Sequence, residues 1–161
     1  MLHQIAYVSR SIEPLNTALL TNILEVSRRN NERDTITGVL MYHDGLFFQV
    51  IEGERAVVDL CYARILCDHR HQDLSLILND TIETLTFSDW AMQYAGPDEI
   101  RGHTNSSLQS LADLRSGGEA TTAAGNIGLA LALTMFERRK GRFKTEPISN
   151  VPLAVPHAFV K

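Results

Sequence analysis

Four side chains with hydrogen-bonding ends fall where the apolar pattern of this chain asks for hydrocarbon: Tyr7, Asn30, Asn31 and Gln49. In "FFQVIEGE" successive side chains alternate, so Gln49 shares a face with Phe47 and Ile51. In "HQIAYVS", residues 3–9, Tyr7 shares a face with Ile5 and Ser9, while Ala6 and Val8 take the other. At 100° per residue Asn30 falls within about 20° of Leu19 and Ile23 on a helix. Asn31 continues the row of Leu20 and Leu24. Alone, an asparagine at a helix end is a C-cap and a strand tyrosine is a core residue. Together, a phenol and three carboxamides can converge on a polar ligand with donors and acceptors along a flat edge. A buried amide without a partner costs about 1–3 kcal/mol, so such a group of side chains needs one.

Charge adds to this set. Arg64 lies one helical turn after Leu60 and two after Val57, on the expected inward edge of a second helix, and Arg70 in "DHRH" follows that helix. Single arginines usually end on the surface. As a pair beside one cavity they can hold a diphosphate by charge-assisted bonds. His69 and His71 alternate in the same turn with no third ligand at a suitable spacing, so no metal site is expected. Cys61 and Cys67, six apart in one helix, match no zinc pattern and are poorly placed for a disulfide. They read as reduced thiols of a cytoplasmic protein.

The elements that must position these residues follow from periodicity. A short strand over 3–9 is followed by Ser11 and Pro14, a helix start. Leu15, Leu19, Ile23 and Val26 then repeat at helical spacing, predicting a helix from about Pro14 to Arg29 or Asn30. Strands near 35–42 and 46–52 flank the turn His43-Asp44-Gly45. A second helix is expected from about Glu54 to Cys67, with Val57, Leu60, Cys61 and Ile65 inward. "LSLILND" from Leu74 and "DWAMQYA" from Asp89 read as two more strands, the last alternating Trp90, Met92 and Tyr94. The order β-α-β-β-α-β-β predicts an α+β, ferredoxin-like sheet with both helices on one face. In that plan the strands carrying Tyr7 and Gln49 are central neighbours.

The residues quoted above resemble one family, the BLUF domains, sensors of blue light using FAD. The resemblance covers about residues 3–95. It rests on "AYVS" around Tyr7, "NNERDTITGVL" from Asn30, "FFQVIEGE" around Gln49, "YARI" around Arg64, "DHRH" over 68–71 and "DWAM" with Trp90 and Met92. It implies a flavin ring held between the two helices, FAD by the family's habit, with FMN or riboflavin carrying the same ring. By resemblance Tyr7 is the light-driven electron and proton donor and Gln49 the switching amide. Asn31 is similar to the asparagine at the polar edge of the ring, with Asn30 beside it. Arg70 and Arg64 would meet the phosphates, Asp68 and His71 would flank the ring, and Trp90 and Met92 would relay the signal. The chain departs from the family in "ETLTFSDW", which lacks the basic residues common just before the Phe and Trp. The surface around the last strand is therefore expected to engage a different partner.

Composition fits a sensor of this size. The 161 residues are 44% hydrophobic and 21% charged, with a net charge of −4. Mild acidity argues against non-specific nucleic-acid binding. The amino terminus shows no leader pattern, and the longest apolar-rich run, Ile127 to Phe136, is too short to cross a bilayer. After the sensor, 96–105 reads as a linker, 106–140 as a helical extension and 141–161 as an extended or flexible tail. On the helix from about Ala123 to Lys140, Ile127, Leu131 and Met135 lie on one side and Leu129, Leu133 and Phe136 on another. Such a wide apolar surface predicts one face on the sheet and another on a second copy, giving a homodimer or larger symmetric oligomer. The segment after the sensor is too short for a cyclase or phosphodiesterase, so the signal is expected to pass to a separate protein or through self-assembly. The rival readings are an enzyme, either a ferredoxin-like flavin-dependent reductase or a small hydrolase on the same fold, and a related module that has lost its flavin. Against the enzyme, the sequence has no Gly-rich nicotinamide motif and no nucleophile elbow.

Overall fold

The computed structural model describes residues 1–43, 45–88 and 91–96. The expected helical extension, tail and oligomer contacts, and Trp90, lie outside the described residues. Among the described residues five strands form one sheet: β1 (Leu2–Ser11), β2 (Thr37–His43), β3 (Leu46–Glu54), β4 (His71–Ile82) and β5 (Gln93–Ala95). Helix α1 (Thr17–Asp34) links β1 to β2, and α2 (Arg55–Leu66) links β3 to β4. The strand order is β4-β1-β3-β2-β5, antiparallel except that β5 runs parallel to β2. This is the expected α+β, ferredoxin-like arrangement. It puts β1 and β3 side by side at the centre, with Tyr7 directly opposite Gln49.

Both helices cover the same face. Ile5, Tyr7, Phe47 and Ile51 of the sheet pack there with Leu24 of α1 and with Val58 and Cys61 of α2. The other face of the central strands is buried as well, including Ala6, Val8, Phe48 and Val50. Burial on two faces explains why "IAYV" and "FFQVI" read as nearly continuous apolar runs. On that second face Gln4, Thr37 and Glu52 are cross-strand neighbours. Glu52 is fully buried there and accepts hydrogen bonds from Gln4 Nε2 at 2.8 Å, Thr37 Oγ1 at 3.3 Å and the Phe87 N–H.

Several element bounds differ from the sequence expectation, each for a local reason. Helix α1 starts at Thr17 rather than Pro14, because Asn16 Oδ1 accepts from Leu19 N at 2.8 Å and caps the first turn. It also runs past Asn30 to Asp34, so neither Asn30 nor Asn31 is a C-cap. The cap is Thr35, in the left-handed region with φ 54°, its N–H on the carbonyls of Asn31 and Glu32. In α2 the expected inward Leu60 is 67% exposed. The buried stripe instead runs through Val58 and Cys61, one helical step away, flanked by half-buried Val57 and Ile65. Strand β4 starts at His71, ahead of Leu74, and β5 is only Gln93–Ala95. Cys61 is buried and Cys67 exposed, and both are free thiols. Among the described residues no helix is long and apolar enough to cross a membrane.

The Thr35 cap gives a first prediction. A β-branched residue in the left-handed region carries about 1–2 kcal/mol of steric cost that glycine escapes. The Thr35 side chain is exposed and so contributes little packing. Thr35→Gly should raise stability by about 1 kcal/mol, read as a higher urea midpoint. An unchanged or lower midpoint would mean the cap is not strained.

Candidate functional site

Between α1, α2 and the helix-covered face of the sheet lies a cavity of about 240 Å³. Tyr7 and Gln49 line it from the sheet, Asn30 and Asn31 from α1, and Arg64 from α2. Asp68, Arg70 and His71 complete the lining. Ile23, Val26, Phe47 and Ile65 supply apolar walls. The structure thus brings together, around one space, every residue that the sequence set aside for binding.

The centre of the arrangement is the pair Tyr7 and Gln49. Strand register sets them opposite each other, and the Tyr7 hydroxyl donates to Gln49 Oε1. Burial pushes the Tyr7 phenol well above its ordinary range, with Cys61, Tyr62 and Asp68 nearby adding to the shift. The phenol stays protonated and donates to the amide oxygen, while the amide nitrogen faces Met92, with Nε2 3.7 Å from Met92 Sδ. One Nε2 hydrogen and one Oε1 lone pair are left over for the cavity. The rings of Tyr62 and His71, with centroids 5.8 and 6.2 Å from that of Tyr7, hold the phenol in place.

Helix α1 contributes the opposite wall. Asn31 is 3% exposed and donates from Nδ2 to the Ala91 carbonyl at 2.7 Å. The Asn30 amide faces the same cavity and makes no hydrogen bond among the described residues. Arg28, one turn before Asn31, donates from Nε to the Met92 carbonyl at 3.1 Å. Sequence reasoning missed Arg28, although its i, i+3 spacing to Asn31 placed it on a shared helix face.

Each arginine of the lining already has a carboxylate. Arg70 Nε sits 2.9 and 3.0 Å from the two oxygens of Asp68 and holds that carboxyl below its usual range. Arg64 Nη2 reaches Asp34 Oδ2 at 2.7 Å, bridging α2 to α1, and Arg33 grips the same carboxylate. These bonds hold the Asp34 carboxyl well below the ordinary range. His71 is committed on both nitrogens. A carbonyl only accepts, so His71 Nε2 donates to Ile65 O at 3.0 Å, and Nδ1 lies 2.7 Å from the Ser9 hydroxyl. His71 is a wall of the cavity whose polar atoms serve the fold. Among the described residues no group of His, Cys, Asp and Glu is arranged to hold a metal ion.

Residues 2–93 match the family model described as "Sensors of blue-light using FAD", the BLUF family. The chain is a BLUF family member. Among solved structures, the dark state of the BLUF protein BlrB superposes with a TM-score of 0.68 at 30% identity, covering 80% of this chain and 95% of that one. A bacterial light-regulated adenylyl cyclase superposes with a TM-score of 0.60 at 31% identity, covering 86% of this chain and 40% of the cyclase. The photoactivated adenylate cyclase subunit beta of Euglena gracilis is 32% identical over 104 residues. That match takes in 63% of this chain but 12% of the Euglena protein, so the chain spans a small part of the curated relatives it matches. The BLUF domain itself is a photosensor and not an enzyme. The BLUF family is a flavin-binding one, so the question the cavity poses is how its own side chains would use a flavin.

Proposed function

We propose that this BLUF chain is a blue-light receptor that binds FAD in the cavity and switches through Tyr7 and Gln49. The observation that carries this reading is the bond from the Tyr7 hydroxyl to Gln49 Oε1, at a cavity wall, with Met92 Sδ on the other end of the amide. The donor set suits a flavin ring. Asn30 brings an amide with no protein partner among the described residues, and Gln49 has a spare N–H and lone pair. Apolar Ile23, Val26 and Ile65 suit the faces of a planar ring, and about 240 Å³ is room for the ring system rather than for a whole dinucleotide. Arg70 and Arg64, both on the cavity lining, would hold the phosphates by sharing charge with Asp68 and Asp34.

A bound flavin supplies the blue absorption and, once excited, the oxidising power. Tyr7 is then the donor of an electron and of its Oη proton, and the Gln49 amide is the group through which that proton moves. When Tyr7 ceases to donate, Gln49 has no reason to keep its oxygen there. Rotation or tautomerisation of the amide exchanges donor and acceptor at constant volume. Met92 Sδ would then face an oxygen instead of an N–H, and its contact with Gln49 would weaken. Met92 stands immediately before β5, so the change passes to the sheet edge, with Trp90 its expected companion in the relay. From there we propose that a separate protein reads it, in a homodimer or larger symmetric assembly supported by the apolar circumference of residues 123–140.

The test is a light-minus-dark absorption spectrum of the flavin-loaded protein. The expected result is a small, reversible red shift of the flavin band after blue light, recovering in darkness. A flat difference spectrum in a fully loaded sample would overturn this reading. Bleaching by a nicotinamide donor in the dark would favour a reductase instead.

A further inference from the structure

Strand β5 is the shortest strand of the sheet among the described residues. It has three residues, pairs with Val39, Leu40 and Met41 of β2, and lies at one end of the strand order. What precedes it is tied down from helix α1 by two side chains one turn apart. Asn31 Nδ2 holds the Ala91 carbonyl at 2.7 Å and Arg28 Nε holds the Met92 carbonyl at 3.1 Å. Met92 is thereby fixed at both ends, its carbonyl by Arg28 and its sulfur by Gln49. Asn31 lines the cavity, whereas Arg28 does not. Arg28 is half-buried, and burial draws its guanidinium below the ordinary value in spite of Glu32 and Glu25. A charge kept out of water in this way gains most from a backbone carbonyl aimed at it.

We infer that Arg28 is a positioning residue of the switch, holding the Met92 backbone so that Met92 Sδ stays within reach of Gln49 and tying helix α1 to β5. This rests on the proposed light function, because the geometry alone defines an anchor and the photocycle makes it part of a switch. With the guanidinium in place, a change at Gln49 must move Met92 against α1. Without it, Met92 and the start of β5 are free to drift from the amide in the dark state too.

The experiment uses Arg28→Met, which keeps the hydrocarbon stem and removes the donors, and Arg28→Lys, which keeps the charge but not the planar N–H. Hydrogen exchange in the dark reads the anchor independently of photochemistry. Dark recovery of the red-shifted state reads the switch. Loss of one charge-assisted bond corresponds to about a tenfold change in the local opening equilibrium. In Arg28→Met the amides of Gln93–Ala95 should therefore exchange roughly tenfold faster than in the parent, with β1 and β3 unchanged. Flavin loading and the size of the red shift should persist while the return to the dark state slows several-fold, with Arg28→Lys intermediate in both. Parental exchange in β5 would overturn the anchor, and faster exchange with parental recovery would overturn the role in switching. Should Arg28→Met fail to fold, Arg28→Lys carries the same two readouts. A parent protein with no red shift would refute the light function and still leave the anchor decided by exchange.

Discussion

Gln49→Leu should give a folded, flavin-loaded protein that shows no red shift under blue light, and Tyr7→Phe should do the same. Both residues are buried, Tyr7 at 3% and Gln49 at 7% exposure, and both substitutions nearly conserve volume. The cost to the fold is that of an orphaned partner. Gln49→Leu strands the Tyr7 hydroxyl, and Tyr7→Phe strands Gln49 Oε1, each at about 1–3 kcal/mol. That is too little to unfold a domain with burial on both faces of its sheet. The loss of function, by contrast, is complete in each case. Without Oη there is no proton to move, and without the amide there is no group that can trade a donor for an acceptor. The two variants also separate the two halves of the mechanism. Time-resolved spectra of Gln49→Leu should still show quenching of excited flavin by Tyr7, which Tyr7→Phe should lose. A parental difference spectrum in either variant would refute the assigned switch.

The sequence made the floor of the cavity legible because strand periodicity is strict. A side chain two positions from another in a strand shares its face, so Tyr7 with Ile5, and Gln49 with Phe47 and Ile51, followed directly. The split βαβ order then made β1 and β3 neighbours and set Tyr7 beside Gln49. Helices were read less well. Asn31 was placed on the buried stripe correctly and Asn30 is half-buried beside it, but the end of α1 was set too early because Thr35 gives no glycine-like stop signal. Leu60 was assigned inward by hydrophobicity, while the stripe that packs is set by Val58 and Cys61. Arg28 was overlooked because its partner is a backbone carbonyl distant in sequence, which no residue type announces. The two arginines were found, but neither aspartate was foreseen as a partner: Asp68 was expected to flank the ring, and Asp34 was not singled out. Asp34 lies on α1 and meets Arg64 only when the helices are packed side by side. A phosphate that takes Arg64 must therefore compete with Asp34, a constraint that spacing along the chain does not contain.

The largest expected effect on stability belongs to a residue outside the cavity altogether. Glu52 is fully buried on the face of the sheet away from Tyr7, one position beyond Ile51. Its two oxygens accept from three elements: Gln4 of β1, Thr37 of β2 and the backbone of Phe87, which lies between β4 and β5. Gln4 Nε2 reaches Thr86 Oγ1 as well, at 3.3 Å. A carboxylate acceptor shared among three donors is hard to replace with hydrocarbon. Glu52→Leu keeps similar bulk but removes the buried acceptor that Gln4, Thr37 and the Phe87 N–H share, and should cost about 4 kcal/mol. Glu52→Gln is the informative control. Its oxygen can still serve Thr37 and the Phe87 N–H, and Gln4 can turn its own oxygen to the new amide while accepting from Thr86. That exchange should cost only about 1 kcal/mol. Urea midpoints measure both, and hydrogen exchange shows where the loss begins. Residues 86–88 should open first in Glu52→Leu, since the Phe87 N–H loses its acceptor there. If Glu52→Leu stays within about 1 kcal/mol of the parent, the buried carboxylate is not what binds that segment to the sheet.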